Sequence, residues 1–444
     1  MPTHDTHIAP SPYHPYKLTD HTVLVGNEGL WAPMQDGTFV VYPFEFTNWY
    51  DEELSWYDNC YIHSGLNPFM RYEVHGKELL QLLEVVSVNT FRNFPVGKAR
   101  HTILTDDRGK VMIDGIVLRR GEEDFVMMCL PDPAILNHLC GDAFHFESQD
   151  AASKRFFFQL CGPRSLEVVE AAVREDLHDI GFMWARDTHI AGRDVFVLRT
   201  SMAGTLGYEV HGNIEDAWEV YEALMAAGEA YGITELGRHA YRNTHTEGNI
   251  AQVYTHFVGV NPPVPMKVSG SIPRDSSLIE RSPVDLGWES LVRFDHEFPG
   301  KAALKAEVEG HHNTLVTLVW NADDVAAVVR AGLEPGERVD PMDMVEDYSP
   351  VSANGEVHMD AVYAGDAMVG ASSGRMLSPK THEMISLATI DQDYAAPDTV
   401  VEVLWGNPGT RQMRIRATVV DGFYIKEGRN ANFDVEQIPH PSFD

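Results

Sequence analysis

Residues 201–212 carry the feature that most constrains this chain, a glycine-rich turn that leads directly into a short alternating strand. Gly204 and Gly207 are spaced for a tight turn, because glycine adopts positive φ without strain. Residues alternate along the strand that follows, so Tyr208 and Glu209 are expected on opposite faces. A carboxylate just after such a turn is placed to bind a flat heterocycle through two N–H groups. A β-hairpin with a solvated glutamate is the alternative interpretation.

Composition limits the possible partners. The 444 residues are 44% hydrophobic, which is enough for a large core spread over two or three domains. The net charge of −32 argues against nucleic acid, because phosphate contacts need clustered Lys and Arg, and also against an anionic membrane surface. The four cysteines form no CxxC pair, which favours a reducing compartment with free thiols. The first fifteen residues lack an apolar targeting segment and the longest apolar runs are too short to span a bilayer, so we expect a cytoplasmic protein.

The hydrophobic patterns predict an α+β protein. Strands and helices alternate as far as about residue 312, with no GxGxxG after a strand and no GxxxxGK[ST], so those nucleotide-binding motifs are absent. From Thr314 onward strands predominate, and one of them is predicted over Ala361–Val369. This last region is expected to form a small antiparallel barrel or sandwich.

The turn and strand at 201–212 carry a family resemblance. They resemble the G-x-x-G-Y-E-I segment of the folate-binding aminomethyltransferases, typified by the glycine-cleavage T-protein. Further short matches occur in the same order over most of the chain, and together they resemble one branch of that family, the tetrahydrofolate-dependent aryl O-demethylases. These matches are Tyr42-Pro43, Phe46–Trp49, Gly109–Gly115, Phe158–Pro163, Ile190–Gly192, Met202–Glu209, His239–Tyr241, Val292–His296 and Ser386–Asp391.

The resemblance implies a T-protein-like fold with three lobes, mixed and antiparallel sheets, and a small C-terminal β-barrel. The expected boundaries are a discontinuous folate-binding lobe over 1–55 and 151–255, a second lobe over 56–150 and 256–312, a barrel-like domain over 313–430, and a tail over 431–444.

Two departures from the T-protein bear on the reaction. Ile113 occupies the position of the catalytic aspartate of T-proteins, and only Asp114 remains of the aspartate pair. Tyr241 replaces the arginine of the Ala-Arg-Asp motif. The aryl O-demethylases make the same exchange and use that tyrosine in catalysis. The resemblance therefore implies methyl transfer from a small methyl ether, expected to be aromatic, to tetrahydrofolate, giving 5-methyltetrahydrofolate.

Such a reaction needs an acid at the ether oxygen, because phenoxide is a poor leaving group. A tyrosine, with a pKa of about 10, can donate a proton there without being ionised at neutral pH. The resemblance assigns Tyr241 as this catalytic acid and Glu209 as the anchor of the pterin ring. The remaining cofactor-binding candidates are Gln159, Phe182, Phe69 and Glu247. An ordinary buried tyrosine, and core packing for the others, are the competing interpretations.

The substrate side departs from the vanillate-demethylating member of the branch. Tyr42 is kept, but Asn67-Pro68 replaces a His-His pair, and Leu130 replaces an arginine that meets the aryl carboxylate. Either the donor lacks that carboxylate, or another cation such as Arg71 or Arg92 binds it. The substrate candidates are therefore Tyr42, Asn67, Leu130 and Arg71.

No metal site is expected. The His311-His312 pair and the group His138, Cys140 and His145 lack the spacing of a structural zinc site. Two other functions remain open, demethylation of an aliphatic sulfonium or methylamine, and non-catalytic folate binding. The reactive-cysteine motif of such binding proteins is absent. The methyl donor and the oligomeric state are left open.

Overall fold

The structure is a computed structural model that describes residues 15, 21–26, 41–64, 67, 70–262, 266–344 and 356–443. The strands are β1 Val23–Gly26, β2 Val41–Glu45, β3 Cys60–His63, β4 Arg71–His75, β5 Ala99–Thr105, β6 Val111–Arg119, β7 Asp124–Met128, β8 Glu147–Asp150, β9 Arg155–Cys161, β10 Ala185–Ile190, β11 Arg193–Leu198, β12 Gly207–Asn213, β13 Ile233–Glu235, β14 Lys267–Ser269, β15 Asn313–Trp320, β16 Glu356–Ala364, β17 Ala367–Leu377, β18 Met384–Asp391, β19 Val400–Trp405 and β20 Met413–Val419. The α-helices are α1 Trp49–Asp58, α2 Leu79–Val86, α3 Pro133–Leu139, α4 Ser165–Val173, α5 Ala217–Gly228, α6 Arg238–Tyr241, α7 Asn243–Glu247, α8 Lys301–Glu309 and α9 Ala322–Leu333.

Two sheets build the first two-thirds of the protein. A five-stranded sheet has the order β5-β6-β7-β4-β8, and a six-stranded sheet has the order β10-β11-β12-β9-β3-β13. The pairs are antiparallel except for β13, which runs parallel to β3. The predicted α+β class with mixed and antiparallel sheets is confirmed.

The C-terminal strands close into a barrel. Their order is β16-β17-β18-β15-β20-β19, and β19 pairs back with β16, which completes the ring. Strand β14 adds to β16 in parallel. The expectation of a small C-terminal β-barrel is confirmed, because closure leaves its strands without free edges.

One local prediction in this region is wrong. The stretch Ala361–Val369 is not a single strand, because β16 ends at Ala364 and β17 begins at Ala367. Gly365, at φ 60°, makes the tight turn between them. Helix α9 was also missed; the side chain of Asn321 caps its first turn by accepting from the Asp324 amide.

Alternation along β9 and β12 sends one set of side chains into a core and the other set to the functional face. Phe158 of β9 and Tyr208 of β12 pack against α4 and α5 in one hydrophobic cluster. Neighbouring residues on the same strands point the other way. Tyr208 and Glu209 therefore lie on opposite faces, as the sequence predicts.

The lobe boundaries stay a prediction, although β3 at Cys60–His63 pairs with β9 of the six-stranded sheet.

Across the described ranges, no helix is both long enough and apolar enough to cross a membrane.

Candidate active site

Three polar side chains form a row across neighbouring strands of the six-stranded sheet. Gln159 of β9 pairs directly with Glu209 of β12 on one side and with His63 of β3 on the other. Directly paired residues share a face of a sheet, so all three project to the side away from α4 and α5. This row forms the floor of the candidate site.

Glu209 lies at the centre of a hydrogen-bond network. Its carboxylate accepts from the Gln159 amide nitrogen at 3.1 Å and from His211 Nε2 at 3.0 Å. Only 6% of the residue is exposed. The alternative of a solvated glutamate on a hairpin is therefore excluded, because Glu209 is a buried carboxylate held by two named partners.

Tyr241 lies over this row. It ends the short helix α6, and its ring stacks on His63 with 3.9 Å between ring centroids and 15° between planes. Its hydroxyl lies close enough to Gln159 and Glu209 for both side chains to act on its protonation. Burial, and then the negative charge of Glu209, raise the pKa of Tyr241 above that of a free tyrosine. Tyr241 therefore holds its proton at neutral pH.

Helix α6 is fixed in place by a buried carboxylate. Glu52 of α1 accepts from the backbone N–H groups of Phe46, Thr47 and Gly237 at 2.7, 2.8 and 2.7 Å. Gly237 begins the turn into α6, and a Cβ there would come within 2.3 Å of the Phe44 carbonyl oxygen. The position of Tyr241 is thus set by a close backbone approach that only glycine permits.

The glycine-rich turn before Glu209 is fastened by the C-terminal segment. Asn430 donates to the Gly207 carbonyl at 3.0 Å and to Ser201 Oγ at 3.3 Å. It also accepts from Arg199 Nε at 3.1 Å. The stretch named as a tail in the sequence analysis begins immediately after this residue, and its Phe433 carbonyl accepts from the same guanidinium.

Arg71 and Asn67 both lie buried beside the strand row. The Arg71 guanidinium donates to His211 Nδ1 at 3.1 Å. Burial lowers the pKa of Arg71 to about 10. The Asn67 amide donates to the Phe157 carbonyl of β9 at 2.8 Å. Both residues are therefore close to the site, and both have partners within the protein.

Three other candidates lie elsewhere. Leu130 is fully buried in the cluster that α2 and α3 form on the five-stranded sheet. Glu247 is fully buried, and its carboxylate accepts from Trp56 Nε1 at 3.1 Å. Phe182 is 36% exposed in the loop before β10. The structure brings none of these three into the hydrogen-bond network of Glu209.

The side chains of two further candidates cannot be placed relative to Glu209. Phe69 lies outside the described residues. Tyr42 belongs to β2, and its backbone pairs with Val25 of β1; its side chain is not among those described. Arg92, the other cation considered for a substrate carboxylate, is exposed and paired with Asp295 at 3.2 Å.

Sequence reasoning missed His63, His211 and Asn430. His211 had an available signal, since it follows Glu209 by two residues and must share its face of β12. His63 and Asn430 had none, because they lie far from residues 201–212 in the sequence. Strand pairing brings His63 to Gln159, and chain reversal brings Asn430 to Gly207.

Within the described ranges, two groups of side chains bring metal-binding atoms together, Asp176 with His178 and His440, and His311 with Asp391 and Asp393. Each group is already joined by internal hydrogen bonds, such as His311 Nε2 to Asp391 at 2.9 Å. Neither group includes a residue of the strand row.

The site suits tetrahydrofolate, whose pterin ring presents N–H donors along one edge. The Glu209 carboxylate is a buried acceptor beside the ring of Tyr241. Gln159 Oε1 is a second buried acceptor, and it has no hydrogen-bond partner among the described residues. Leaving a buried acceptor without a hydrogen-bond partner costs free energy. A ligand that brings N–H groups therefore suits this part of the site.

Comparisons with known proteins agree with this chemistry. The family model described as "GCVT N-terminal domain" matches residues 39–266, just over half of the chain. Sesamin methylene transferase of Sinomonas sp. (strain No.22) is 38% identical, in an alignment covering 94% of this chain and 97% of that protein. Syringate O-demethylase of Sphingobium sp. (strain NBRC 103272 / SYK-6) is 28% identical, covering 82% and 84%.

A solved structure matches the fold. The glycine cleavage system aminomethyltransferase T from Bartonella henselae superposes with a TM-score of 0.63 and 15% identity, covering 88% of this chain and 93% of that one. That likeness supports the fold alone, whereas the family match and the two sequence relatives bear on the activity. The chain belongs to the aminomethyltransferase family defined by the GCVT domain, and it is a tetrahydrofolate-dependent transferase of that family.

Proposed function

We propose that this protein moves a methyl group from a small aromatic methyl ether to N5 of tetrahydrofolate. The observation that carries the proposal is the position of Tyr241, a buried and protonated phenol that lies over the row formed by His63, Gln159 and Glu209. An acid and an anchor for the acceptor thus lie on the same face of the six-stranded sheet.

In this reaction the bond between the ether oxygen and the methyl carbon breaks, the N5–C bond forms, and the leaving oxygen takes a proton. Tetrahydrofolate, when bound, supplies the N5 nucleophile. Tyr241 donates the proton to the ether oxygen as negative charge develops there, which typically contributes about 10²–10⁴-fold to a rate. The acceptor's N5 proton is released in exchange, so the enzyme returns to its starting state with Tyr241 protonated.

Gln159 links the two functions in space. Its amide nitrogen donates to Glu209, and the ring of its strand neighbour His63 stacks on Tyr241, so the pterin anchor and the acid keep a fixed separation. Holding reactants in line at near-contact distance is a large source of acceleration in displacement at carbon. Phe69, Phe182 and Glu247 remain proposed cofactor contacts on the family resemblance.

We propose a donor without a carboxylate. Leu130, at the position of a carboxylate-binding arginine, is fully buried among apolar side chains. Arg71 is engaged with His211, and Arg92 lies at the surface in an ion pair. Tyr42, Asn67, Leu130 and Arg71 stay the proposed substrate-side residues.

A cytoplasmic setting is supported by the four free cysteines.

A second candidate reaction is transfer of a methylene group. The 38% identical relative bears the name of a methylene transferase, and its similarity extends over nearly the full length of both chains. In that reaction the two bonds from the methylene carbon to the oxygens of an aryl methylenedioxy ring break, the two oxygens take the N5 and N10 protons, and the carbon bridges the two nitrogens. Tyr241 would again protonate the first leaving oxygen.

One experiment separates the two reactions. The purified protein is incubated with tetrahydrofolate and a panel of aryl methyl ethers, aryl methylenedioxy compounds, a sulfonium and a methylamine, and the folate product is identified by mass. A 5-methyl product from an aryl ether supports the first proposal. A 5,10-methylene product, lighter by two hydrogen atoms, supports the second. Product from the sulfonium or amine alone would overturn both.

A further inference from the structure

We infer that His211 is a positioning residue that holds the Glu209 carboxylate for the pterin ring, and that Arg71 fixes the tautomer in which it does so. The inference deepens the proposed function and rests on it. His211 follows Glu209 by two residues on β12, so the two side chains lie on one face of the strand. The imidazole is completely buried.

Two aromatic rings fix the plane of the imidazole. Phe196 of β11 and Phe157 of β9 each pair directly with His211 on the adjoining strands. Their rings lie nearly parallel to the imidazole, with centroids 4.4 and 5.4 Å away and interplanar angles of 8° and 19°. The imidazole therefore lies between the two phenylalanine rings. They fix its plane and allow its two nitrogens only two orientations along the sheet.

The partners of the two nitrogens define the tautomer. A guanidinium group only donates hydrogen bonds, so the contact of 3.1 Å from Arg71 Nη1 requires a lone pair on His211 Nδ1. Nε2 then carries the hydrogen and donates it to Glu209 at 3.0 Å. A neutral ring in the opposite tautomer would place two acceptors, Nε2 and the carboxylate, against each other.

The neutral state of His211 matters for the ligand. Burial is the main cause that lowers the pKa of His211 to about 4, and the nearby charges of Arg71 and Arg120 act in the same direction, against Glu209. A neutral donor orients the carboxylate without cancelling its charge. Glu209 thus keeps a full negative charge for the N–H groups of the pterin ring, which a buried imidazolium partner would have neutralised.

Two substitutions separate hydrogen bonding from packing. In His211→Gln the amide nitrogen can take the place of Nε2 and still reach Glu209. In His211→Asn the side-chain oxygen can accept from Arg71 in the place of Nδ1, but the side chain is too short to reach Glu209. Both variants are smaller and polar, so loss of packing between the two phenylalanines affects them alike, and their melting temperatures serve as the internal control.

The measurement is the dissociation constant of tetrahydrofolate for the native protein and both variants, with p-aminobenzoylglutamate as a probe that lacks the pterin ring. We expect His211→Gln to bind tetrahydrofolate within about threefold of the native protein, and His211→Asn to bind it about tenfold more weakly. Binding of p-aminobenzoylglutamate should be the same in all three.

Equal affinity of the Asn variant and the native protein would overturn the inference, as would an equal loss in both variants, which would indicate packing alone. Failure of the native protein to bind tetrahydrofolate is a separate result, since it would overturn the proposed function itself.

A double-mutant cycle tests the role of Arg71. Replacing Arg71 by Leu should weaken tetrahydrofolate binding in the native background, because Nδ1 loses its donor and the tautomer is no longer fixed. In a His211→Leu background the same replacement should have no further effect. Additive losses would show that Arg71 acts on the ligand directly and would overturn this part of the inference.

Discussion

The ring of Tyr241 lies parallel to the ring of His63, with 3.9 Å between their centroids. His63 Nδ1 is 2.9 Å from the Leu236 carbonyl, so that nitrogen carries the hydrogen. Burial lowers the pKa of His63 to about 4, and the ring is neutral at physiological pH. A cation at this distance would stabilise the phenolate, whereas a neutral ring leaves the phenol protonated. Stacking on a neutral His63 ring therefore leaves Tyr241 protonated and able to act as a proton donor.

Replacing Tyr241 by Phe should lower the rate of methyl transfer by about 10²–10⁴-fold, because the proton donor to the leaving oxygen is lost. Tetrahydrofolate affinity should change little, since Glu209 and Gln159 remain. The matched control is Tyr208→Phe, which removes a buried hydroxyl on the opposite face of the sheet that has no hydrogen-bond partner among the described residues. Turnover by the Tyr241 variant at the native rate would exclude it as the acid.

Replacing Glu209 by Gln should weaken tetrahydrofolate binding by roughly 10–150-fold, the equivalent of one hydrogen bond to a charged group. The neutral amide also puts a donor where an acceptor is needed. Titration calorimetry checks this, with Glu215→Gln, an exposed carboxylate just beyond β12, as the control. An affinity unaltered in Glu209→Gln would remove Glu209 from the cofactor site.

Replacing Asn430 by Ala should reduce the free energy of unfolding by about 1–3 kcal/mol, because Arg199 and the Gly207 carbonyl lose a buried partner. The KM for tetrahydrofolate should rise as well, since the turn that leads into Glu209 is loosened. Asn432→Ala, two residues away and exposed, is the control. A stable variant with native KM would show that the C-terminal segment does not support the turn.

Four buried histidines make the fold sensitive to acid. Burial lowers the pKa of His63 and His211 to about 4, and of His245 and His256 to about 3. Their unfolded-state pKa lies near 6.5, so below that value the unfolded chain binds protons that the native protein does not. The stabilisation is complete above about pH 6.5 and is lost as the pH falls towards 4, by up to about 1.4 kcal/mol per pH unit for each histidine.

Denaturant unfolding measures that slope at several pH values between about 7 and about 4.5, a range that includes the ordinary histidine pKa. His256→Gln should reduce the slope by about one proton. Tyr208→Phe, which removes no group that titrates in this range, should leave it unchanged. A slope equal in the native protein and the His256 variant would mean that His256 is protonated in the folded state.

The sequence was sufficient for the parts of the site that are local. A glycine turn followed by an alternating strand predicts that Glu209 and Tyr208 face opposite ways, and the structure confirms it. The barrel followed from a run of β-rich segments, but the break at Gly365 did not, because one glycine among β-branched and small residues is compatible with an unbroken strand.

The hydrogen-bond network could not be predicted in the same way. His63, Gln159 and Glu209 come together only through the pairing of three strands, and no periodicity in one chain specifies which strands pair. The buried position of Arg71 was missed for a related reason. An arginine at the start of a strand is usually solvated, whereas here the imidazole of His211 on another strand accepts from the buried guanidinium.

The most direct test of the account follows the transferred carbon from an aryl methyl ether that carries carbon-13 in its methyl group. Purified protein, tetrahydrofolate and the labelled ether are mixed for a single turnover, and the carbon is located by NMR. We expect the label on N5 of the folate with the free phenol as co-product, and transfer slowed by about 10²–10⁴-fold with Tyr241→Phe. Label that stays in the ether while tetrahydrofolate is bound, across aryl donors with and without a carboxylate, would contradict the proposed reaction.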